Sequence, residues 1–444
     1  MPGFYIENFG CRASQADGAA IARQLSDRGL HAGAADSVDF VVLNTCTVTA
    51  DADRSARAAA RRIHAENPLA RILVTGCYAQ RAPQELASLP GVAWVAGNSH
   101  KHAIADILLP PASPFVPVSS LTAAPAIHVG DIFAHTEFLA TPVFGHADAR
   151  TRPTLKVQDG CDNRCSFCVI PSVRGQSRSR WLELVIQDVN TLVEAGSREV
   201  VISGINLGRW GRDLAPASTL EALIETILDR TPLQKLRLSS VEPMDWTGRL
   251  IALAAASTRI ARHAHVPMQS GSDTVLRRMH RKYRPWHYRE KILAIRAALP
   301  TAAIGADVMT GFPGETDAEF EETRRMVEEL PLTYLHLFPY SSRPATPAAS
   351  LPNQVPTHVA RERRHALSDL ILQKKRSFAE SFVGRVLPAI TLLSASSAST
   401  NALTDNFLEL EIQGQHEPNR WHEVMIEASH EGTLRGRLDD CQAA

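Results

Sequence analysis

The sequence predicts an α/β protein with three parts: a small N-terminal parallel α/β domain, a central open parallel barrel of six βα units, and a small C-terminal antiparallel β-barrel. Short apolar segments alternate with helical ones over the first 110 residues, six strand–helix repeats follow from Thr154, and short strand-like segments return after Gly384. The chain has 444 residues. It is longer than the roughly 250–300 residues at which one hydrophobic core stops growing, so several domains are expected.

The N-terminal third has an alternation of strands and helices that favours a parallel sheet. Phe4–Phe9, Asp39–Thr45 and Arg71–Thr75 are strand-like, and Ala16–Arg28 and Ala52–Ala65 have helical composition. Helices between strands are typical of parallel sheets. We therefore predict a small parallel α/β domain over residues 1–110.

The central part is predicted to be a barrel that follows a linker. Residues 111–150 are assigned to the linker because Pro110–Ala126 is rich in Pro, Ser and Ala. Residues 151–382 contain six strand-like segments: Leu155–Gln158, Glu199–Ser203, Lys235–Ser239, Ala264–Met268, Ala303–Met309 and Tyr334–Phe338. The helical segments between them are Arg180–Ala195, Ser218–Leu228, Thr247–Ala256, Asp273–His280, Trp286–Leu299 and Asp317–Glu329. Right-handed connections would curl such units into an open barrel with its active site at the carboxyl ends of the strands.

The C-terminal part begins after a long helix. His358–Phe382 is predicted to be helical with a basic face that includes Arg363 and Lys374, and we expect that face to be solvated. Over residues 383–444, the segments Val386–Leu393, Phe407–Ile412 and His422–Ala428 are strand-like. This spacing predicts a small antiparallel β domain.

Charge is distributed unevenly although the net formal charge is zero. Residues 1–135 carry 10 basic and 11 acidic side chains, residues 136–382 carry 33 and 27, and residues 383–444 carry 4 and 9. A bound phosphate backbone would therefore be attracted mainly by the middle of the chain.

Hydropathy gives no sign of a membrane protein. No segment reaches the about 18 apolar residues of a membrane helix, and no charged start precedes an apolar signal core. We expect a cytoplasmic protein with no membrane partner. In a reducing compartment the seven cysteines are not expected to form structural disulfides, which favours metal binding or catalysis for some of them.

Three cysteines form a C-x3-C-x2-C loop directly after the first predicted barrel strand. Cys161, Cys165 and Cys168, called the loop triad below, would lie at the catalytic end of the barrel. A four-iron cubane takes four thiolates, so three of them leave one iron open for another ligand. Zinc is the alternative, but it requires a fourth Cys or His nearby, and none follows Cys168 closely.

Three further cysteines each lie just past a predicted N-terminal strand. Cys11, Cys46 and Cys77, called the N-terminal triad below, are distant in sequence. Ligands of parallel α/β sheets gather outside the carboxyl ends of the strands, so the three thiols are expected to converge. Each of them alone could be a small buried apolar residue. Cys441 is in an acidic tail and is given no role.

The loop Cys161-Asp-Asn-Arg-Cys165-Ser-Phe167-Cys168 resembles the signature of the radical S-adenosylmethionine (SAM) superfamily. The resemblance implies a [4Fe-4S] cluster on these three cysteines, with the open iron chelated by SAM. Cleavage of SAM by one electron would give a 5′-deoxyadenosyl radical. An electron donor such as a flavodoxin or a ferredoxin is implied as a partner.

The N-terminal triad has the contexts Asn8-Phe-Gly-Cys11, Asn44-Thr-Cys46 and Thr75-Gly-Cys77, which resemble the N-terminal domain of the methylthiotransferases. That likeness implies a second [4Fe-4S] cluster, at which the inserted sulfur is handled. The C-terminal segment is similar to the small RNA-binding barrel, called TRAM, of these enzymes. It departs from the pattern because nine acidic residues oppose four basic ones.

Polar and small residues close four of the predicted barrel strands. These motifs are Ser203-Gly-Ile-Asn-Leu-Gly208, Ser239-Ser-Val-Glu-Pro243, Pro267-Met-Gln-Ser-Gly-Ser272 and Gly305-Ala-Asp-Val-Met-Thr-Gly-Phe-Pro-Gly-Glu315. Such residues permit close approach to a ligand, although each motif alone is also ordinary turn chemistry. The candidate SAM contacts are Phe167, Gly204, Asn206, Ser240, Glu242, Gln269, Ser270 and Asp307. Arg174, Arg178 and Arg180 either meet RNA phosphate or lie in solvent.

The leading hypothesis is radical methylthiolation at C2 of N6-threonylcarbamoyladenosine, with the tRNA anticodon stem-loop as the partner. Lys156-Val-Gln-Asp159, the Ile205-Asn-Leu-Gly turn and the Ser-Ser-Val-Glu-Pro segment resemble that branch of the family most. The alternatives are isopentenyladenosine of tRNA and an aspartate of a small-subunit ribosomal protein. A non-catalytic iron–sulfur protein that binds RNA or senses redox state is the hypothesis from another class. The sequence does not identify the sulfur donor.

Overall fold

The computed structural model describes residues 2–110, 124–134, 138, 151–393 and 398–439. They fall into two compact units. Unit 1 is drawn from residues 1–145, 158–180 and 341–349, and unit 2 from residues 146–157, 181–340 and 350–444. Cys441 and most of the predicted linker lie outside the described residues. No helix among the described residues is both long enough and apolar enough to cross a membrane.

Unit 1 contains a six-stranded parallel sheet in the order β2-β1-β3-β4-β5-β6. The strands are β1 (Gly3–Asn8), β2 (His31–Ala32), β3 (Phe40–Thr45), β4 (Arg71–Gly76), β5 (Val92–Gly97) and β6 (Ala126–His128). The helices are α1 (Arg12–Asp27), α2 (Ala50–Glu66), α3 (Cys77–Arg81), α4 (Pro83–Ala87) and α5 (Ile104–Leu108). β6 lies within residues 111–150, which the sequence assigned to a linker. It adds a three-residue strand beside β5 at the end of the sheet.

Both faces of this sheet are buried. Val41, Leu43 and Val74 belong to one apolar cluster, whereas Val42 and Leu73, one residue along in each strand, belong to another on the opposite face. Parallel sheets read as continuous apolar runs because helices cover both faces. The predicted parallel α/β fold is therefore confirmed.

Residues 158–180 complete unit 1 with two short elements. The strand β7 (Thr154–Asp159) enters the unit at Gln158 and pairs there with β8 (Arg178–Ser179) in antiparallel fashion. Between them lies α6 (Ile170–Arg174). The cysteine loop is thus held between a paired strand and a short helix.

Unit 2 is built on parallel strands in sequential order. The strands are β9 (Glu199–Gly204), β10 (Lys235–Leu238), β11 (His263–His265), β12 (Ala303–Thr310) and β13 (Tyr334–Pro339), next to the first part of β7. A parallel bridge between Leu236 and Ile260 joins the β7-β9-β10 and β11-β12-β13 groups. The helices are α7 (Leu182–Glu194), α8 (Leu220–Arg230), α9 (Gly248–Ala256), α10 (Asp273–Arg278), α11 (Pro285–Ala298) and α12 (Asp317–Glu329). All six predicted strands and helices are present.

The long helix α13 (Thr357–Glu380) is less solvated than the sequence predicts. Arg363 is 7% exposed and donates to the Glu315 carboxylate at 2.7 Å. Lys374 Nζ donates to the carbonyl oxygen of Leu330 at 2.8 Å. The expectation of a solvated face was wrong for Arg363, whereas Lys374 remains partly exposed, because a basic repeat on a helix looks the same whether solvent or protein lies opposite it.

The C-terminal domain is a closed five-stranded barrel in the order β14-β15-β16-β18-β17. Its strands are β14 (Val386–Thr391), β15 (Ser399–Thr404), β16 (Glu409–Gln413), β17 (Trp421–His430) and β18 (Thr433–Leu438). The loop between β15 and β16 packs against the amino-terminal ends of the unit 2 strands. Arg237 donates to the carbonyl oxygen of Asp405 at 3.1 Å, and the rings of Phe407 and His263 lie 4.5 Å apart.

Candidate active site

The N-terminal triad lies at one edge of the unit 1 sheet. Cys11 separates β1 from α1, Cys46 follows β3, and Cys77 begins α3 directly after β4. Because β3 pairs in parallel with both β1 and β4, the three carboxyl ends share this edge. This is the edge on which the sequence predicts the triad.

Two glycines allow the loops at this edge to approach each other. Gly10 has φ +96°, and a β-carbon built there would lie 2.5 Å from Cβ and 2.8 Å from Sγ of Cys46. Gly76 has φ +101°, and its β-carbon would lie 2.2 Å from the carbonyl oxygen of Thr45. Only glycine tolerates both the conformation and the contact. The cysteine loops are therefore closely packed.

The three thiols influence one another electrostatically. Burial, followed by the proximity of Cys77 and Cys11, raises the pKa of Cys46 to about 12. Thiols this close ionise together only when a cation takes up their charge, as a coordinated metal does. Cys46 and Cys77 are buried and Cys11 is exposed. Three sulfur donors with one accessible side fit a cluster that lacks one protein ligand.

A buried charge network borders the N-terminal triad. Arg174 is 2% exposed and forms ion pairs with Asp159 at 2.9 Å and with Asp17 at 3.0 Å. Lys101 Nζ lies 2.6 Å from the Asp17 carboxylate, and burial lowers the pKa of Lys101. Both cations are within electrostatic reach of Cys77. They would stabilise negative charge on the sulfur atoms.

The position of Arg174 contradicts both interpretations that the sequence suggested. This side chain neither lies in solvent nor is available to RNA phosphate, because its guanidinium is enclosed with two carboxylates. Its neighbour Arg178 donates to the carbonyl oxygen of Arg174 at 3.0 Å. A run of arginines after a cysteine loop does not reveal which of them turns inward.

A second ion network fixes the loop after Cys46. Asp53 accepts from Thr47 Oγ1 at 2.6 Å and pairs with Arg81 of α3 at 2.9 Å and with Arg343. Since Arg81 lies on the helix that Cys77 begins, these contacts hold the Cys46 and Cys77 loops together. Asp53, Arg81 and Arg343 were not identified from the sequence, where they carry no motif.

The loop triad lies between β7 and α6. The amide of Cys161 donates to the carbonyl oxygen of Gly175 at 3.1 Å, and that of Cys168 to the carbonyl oxygen of Cys165 at 3.2 Å. The amide of Asn163 lies 3.4 Å from Cys161 Sγ. All three cysteines and Phe167 are partly exposed. Three sulfur donors in a short, accessible loop again fit a cluster with one open iron.

The two triads are joined by direct packing inside unit 1. Val169 and Val173, which follow the loop triad, form one buried cluster with Cys77. Asn98 Nδ2 donates to the carbonyl oxygen of Val173 at 2.7 Å and lies 3.5 Å from Cys77 Sγ. The helix that leaves one triad thus packs against a member of the other.

Seven of the predicted SAM contacts belong to unit 2, six of them at or just past strand ends and Asp307 within β12. They are Gly204, Asn206, Ser240, Glu242, Gln269, Ser270 and Asp307. Glu242 forms an ion pair with Arg281. Gln269 has φ +61°, and its buried Oε1 makes no hydrogen bond with the described residues. Ser270 is fully buried, and its hydroxyl lies 3.1 Å from that of Thr323, so it ties its loop to α12.

Asp307 lies beside two histidines, His265 and His336, and Ser240 lies beside His265. Neither histidine was identified from the sequence. Ser240 Oγ lies 2.6 Å from His265 Nδ1, and Asp307 Oδ1 lies 3.2 Å from His336 Nδ1. Burial would raise the pKa of Asp307, but the His265 and His336 imidazoles lower it below its ordinary value. The only signal in the sequence is that both histidines lie within predicted strands.

Comparison with known proteins assigns the two cysteine-bearing regions to families. Residues 3–97 match the model of uncharacterized protein family UPF0004, and residues 155–327 match that of the radical SAM superfamily. A Bacillus subtilis protein named threonylcarbamoyladenosine tRNA methylthiotransferase MtaB is 35% identical, with 92% of this chain and 90% of that protein covered. The chain belongs to the radical SAM methylthiotransferase family.

Other members and structures place the chain within this family and its fold. A Novosphingobium aromaticivorans protein named tRNA-2-methylthio-N(6)-dimethylallyladenosine synthase is 33% identical, with 86% of this chain and 85% of that protein covered. The radical SAM methyltransferase TsrM from Kitasatospora setae has a TM-score of 0.56 and 15% identity, with 78% of this chain and 76% of that chain covered. The TsrM likeness supports the fold alone. The protein is a radical SAM methylthiotransferase, as the cysteine motifs predicted.

Proposed function

We propose that this protein inserts a methylthio group at C2 of N6-threonylcarbamoyladenosine beside the anticodon of tRNA. The observation that carries the proposal is the packing of Val169 and Val173 against Cys77, which joins the two triads within unit 1. Sulfur insertion at one unreactive carbon needs a radical source and a sulfur source held near the same atom. Two cysteine triads in one compact unit meet that need.

The two triads have different tasks in this proposal. Cys161, Cys165 and Cys168 would hold a [4Fe-4S] cluster, which together with SAM would supply the radical chemistry. The N-terminal triad holds a second [4Fe-4S] cluster, at which sulfur is handled. Phe167 and the seven strand-end residues of unit 2 are assigned to SAM recognition.

The chain itself provides placement, charge compensation and exclusion of water. Acid–base groups cannot break a C–H bond of this strength, so a cofactor must do so while the protein orients the reactants. Arg174 and Lys101 compensate negative charge at the N-terminal triad from a buried position. In this scheme residues 1–110 carry the sulfur chemistry, residues 151–382 the radical chemistry and residues 383–444 a TRAM-like domain, with residues 111–150 as linker.

The substrate assignment is supported by the name of the Bacillus subtilis relative and by its high coverage. The enzyme would act in the cytoplasm on the tRNA anticodon stem-loop, with electrons from a flavodoxin or a ferredoxin. Dimethylallyladenosine, on which the Novosphingobium relative's name is based, is the alternative within tRNA.

One observation favours a third substrate, an aspartate of a ribosomal protein. Arg435 and Arg437 of the C-terminal barrel pair with Glu411 at 3.2 Å and with Glu427 at 3.0 Å. Arginines neutralised in this way attract RNA phosphate weakly, whereas an acidic barrel suits a basic protein. We therefore expect this barrel to contribute less RNA affinity than the middle of the chain.

The test is a reconstituted reaction under anaerobic conditions. The enzyme, with about eight irons per chain as two cubanes require, is mixed with SAM, dithionite and tRNA that carries N6-threonylcarbamoyladenosine. Mass spectrometry of the nucleosides should reveal its 2-methylthio derivative. Parallel reactions contain tRNA with dimethylallyladenosine or the ribosomal protein, and product from either of these alone would overturn the assignment.

The same reaction separates an enzyme from a non-catalytic sensor. An enzyme releases 5′-deoxyadenosine from SAM when it is reduced, whereas a sensor with both clusters intact releases none. Absence of 5′-deoxyadenosine at full iron content would reject radical catalysis for this chain.

A further inference from the structure

Three side chains of types that bind metal ions meet on one face of β11, β12 and β13 in unit 2, and their ligand atoms all lie within 4.8 Å of one another. His265, Asp307 and His336 are called the His–Asp–His cluster here. Asp307 Oδ1 lies 3.2 Å from His336 Nδ1 and 3.4 Å from His265 Nε2. Asp307 pairs with His336 across the strands and His265 pairs with Gly305, two residues before Asp307, so the three side chains share a face.

His265 is the buried member of the cluster, and one of its nitrogen atoms is already used. The residue is 5% exposed, and its Nδ1 lies 2.6 Å from Ser240 Oγ. Its Nε2 makes no hydrogen bond within the described residues, although it faces the Asp307 carboxylate. When Nδ1–H donates to Ser240, the Nε2 lone pair is directed at a carboxylate oxygen. In that tautomer the two electron-rich atoms face each other, and a cation between them would bind to both, whereas the other tautomer directs Nε2–H at the carboxylate.

We propose that His265, Asp307 and His336 bind one divalent first-row transition-metal ion. Two imidazoles and one carboxylate form a donor set suited to Zn²⁺ and Fe²⁺. Ligand atoms about 2.0–2.1 Å from a common tetrahedral ion are about 3.3 Å apart. The separations of 3.2 and 3.4 Å to Asp307 Oδ1 agree with this value.

In such a site Ser240 would orient His265 by a hydrogen bond without binding the ion itself. Metal-bound imidazoles usually donate their second nitrogen to a neighbouring oxygen, which fixes the tautomer and the ring orientation. The Ser240 hydroxyl at 2.6 Å from His265 Nδ1 supplies that oxygen. This arrangement gives Ser240 and Asp307 a function in addition to the contact with SAM proposed above.

The surroundings close one side of the cluster and leave the other accessible. The ring of Tyr334 lies against Gly305, where a β-carbon would be 1.9 Å from it, and its centroid is 5.5 Å from that of His336. Phe407 lies behind Tyr334 at 5.6 Å between ring centroids. The His336 side chain is 63% exposed. An ion could therefore enter from the His336 side and keep at least one position for an outside ligand.

The test uses Zn²⁺ as the probe and the holoenzyme as the protein. After anaerobic reconstitution, the enzyme is dialysed against micromolar Zn²⁺, desalted, and analysed for iron and zinc. We expect about one zinc per chain with the iron unchanged at about eight. Absorption spectroscopy at the zinc edge should show only nitrogen and oxygen neighbours near 2.0–2.1 Å. Sulfur at about 2.3 Å would place the zinc on cysteines and overturn the proposal.

Variants locate the ion without relying on catalysis. His336→Ala removes an exposed ligand and should weaken Zn²⁺ binding by more than about 100-fold, and Ser240→Ala by about 10-fold or more. Asp307→Asn keeps the shape of the side chain and should also abolish binding. The control His358→Ala changes an exposed histidine of α13 and should bind zinc as the parent does. No retained zinc in the parent, or equal binding by His336→Ala, contradicts the site.

Discussion

The two cysteine triads offer the same three thiols but differ in how the chain assembles them and in how deeply they are buried. The N-terminal triad is assembled from three strands separated in sequence, has two buried members, and lies beside the buried cations Arg174 and Lys101. The loop triad comes from eight consecutive residues and is partly exposed throughout. One set of thiols depends on the whole sheet for its geometry, and the other depends on a single loop.

This difference indicates that the triads should respond differently to mutation. A local loop keeps its three cysteines close in space even when packing elsewhere in the protein changes. A site built at a sheet edge loses its geometry when any of several contacts is altered, because strand ends, glycines and ion pairs all position it. The predictions below test that contrast, beginning with the largest effect.

The first prediction removes one thiol from each triad. Cys165→Ala should abolish formation of 5′-deoxyadenosine and therefore all product. Cys46→Ala should leave SAM cleavage intact and prevent methylthiolation, because only the sulfur-handling centre is lost. Both products are quantified by mass spectrometry in one reaction. Equal loss of SAM cleavage in the two variants would show that the triads do not divide the work.

The second prediction tests the close packing at the sheet edge. Gly10→Ala should displace Cys46, because the added methyl group would lie 2.8 Å from its Sγ at a backbone φ of +96°. Iron content should fall from about eight to about four per chain, whereas SAM cleavage should persist. Gly29→Ala is the matched control, since its φ is +83° but nothing lies within 4 Å. If Gly29→Ala also loses half of the iron, backbone strain alone explains the result.

The third prediction concerns the buried cation. Arg174→Met should destabilise the protein by about 3 kcal/mol, because Asp159 loses its ion-pair partner inside the protein. Arg230→Met provides the comparison, since Arg230 pairs with Glu183 at the surface, and should leave the unfolding midpoint close to that of the parent. Anaerobic urea unfolding of both variants measures the difference. Similar midpoints for the two variants would mean that burial of the Arg174 network contributes nothing.

The same contrast explains which parts of the site the sequence could predict. The loop triad is a contiguous motif, so its spacing alone indicated its chemistry. The N-terminal triad was found because parallel strands send their carboxyl ends to one edge, a rule that holds without coordinates. Arg174, Lys101 and Asp17 could not be found in this way, because no local pattern distinguishes an inward-facing charged residue from a solvated one.

The fold shows the same limit. Strong apolar periodicity located the central strands, and the capping box of Thr316 and Glu319 marks the predicted start of α12 at Asp317. β6 was assigned to a linker because three residues are too few to show the alternation of apolar and polar side chains that indicates a strand. Arg363 was predicted to be solvated, but it donates to the carboxylate of Glu315. The pattern of residues on one helix cannot reveal a partner from another segment.

The smallest expected effect concerns Asn98, which contacts Cys77 of the N-terminal triad and Val173 of the helix that follows the loop triad. Asn98→Ala removes a hydrogen bond to the Val173 carbonyl oxygen and a contact to Cys77 Sγ, and should cost about 1–2 kcal/mol. Hydrogen bonds to cluster sulfurs raise the reduction potential, so one cluster should become harder to reduce while the SAM-binding cluster is unchanged. A redox titration followed by electron paramagnetic resonance resolves the two clusters.

Asn67→Ala is the matched control for this change. Asn67 also donates from a buried position in unit 1, to the carbonyl oxygens of Val38 at 3.0 Å and of Ala35 at 3.2 Å, and none of its hydrogen bonds within the described residues involves a cysteine. It should lose similar stability and leave both potentials unchanged. Since the two variants delete the same amide group, a potential shift confined to Asn98→Ala and to one cluster is expected from the lost contact with Cys77 Sγ. A shift of both clusters would instead indicate that Asn98 acts by separating the triads.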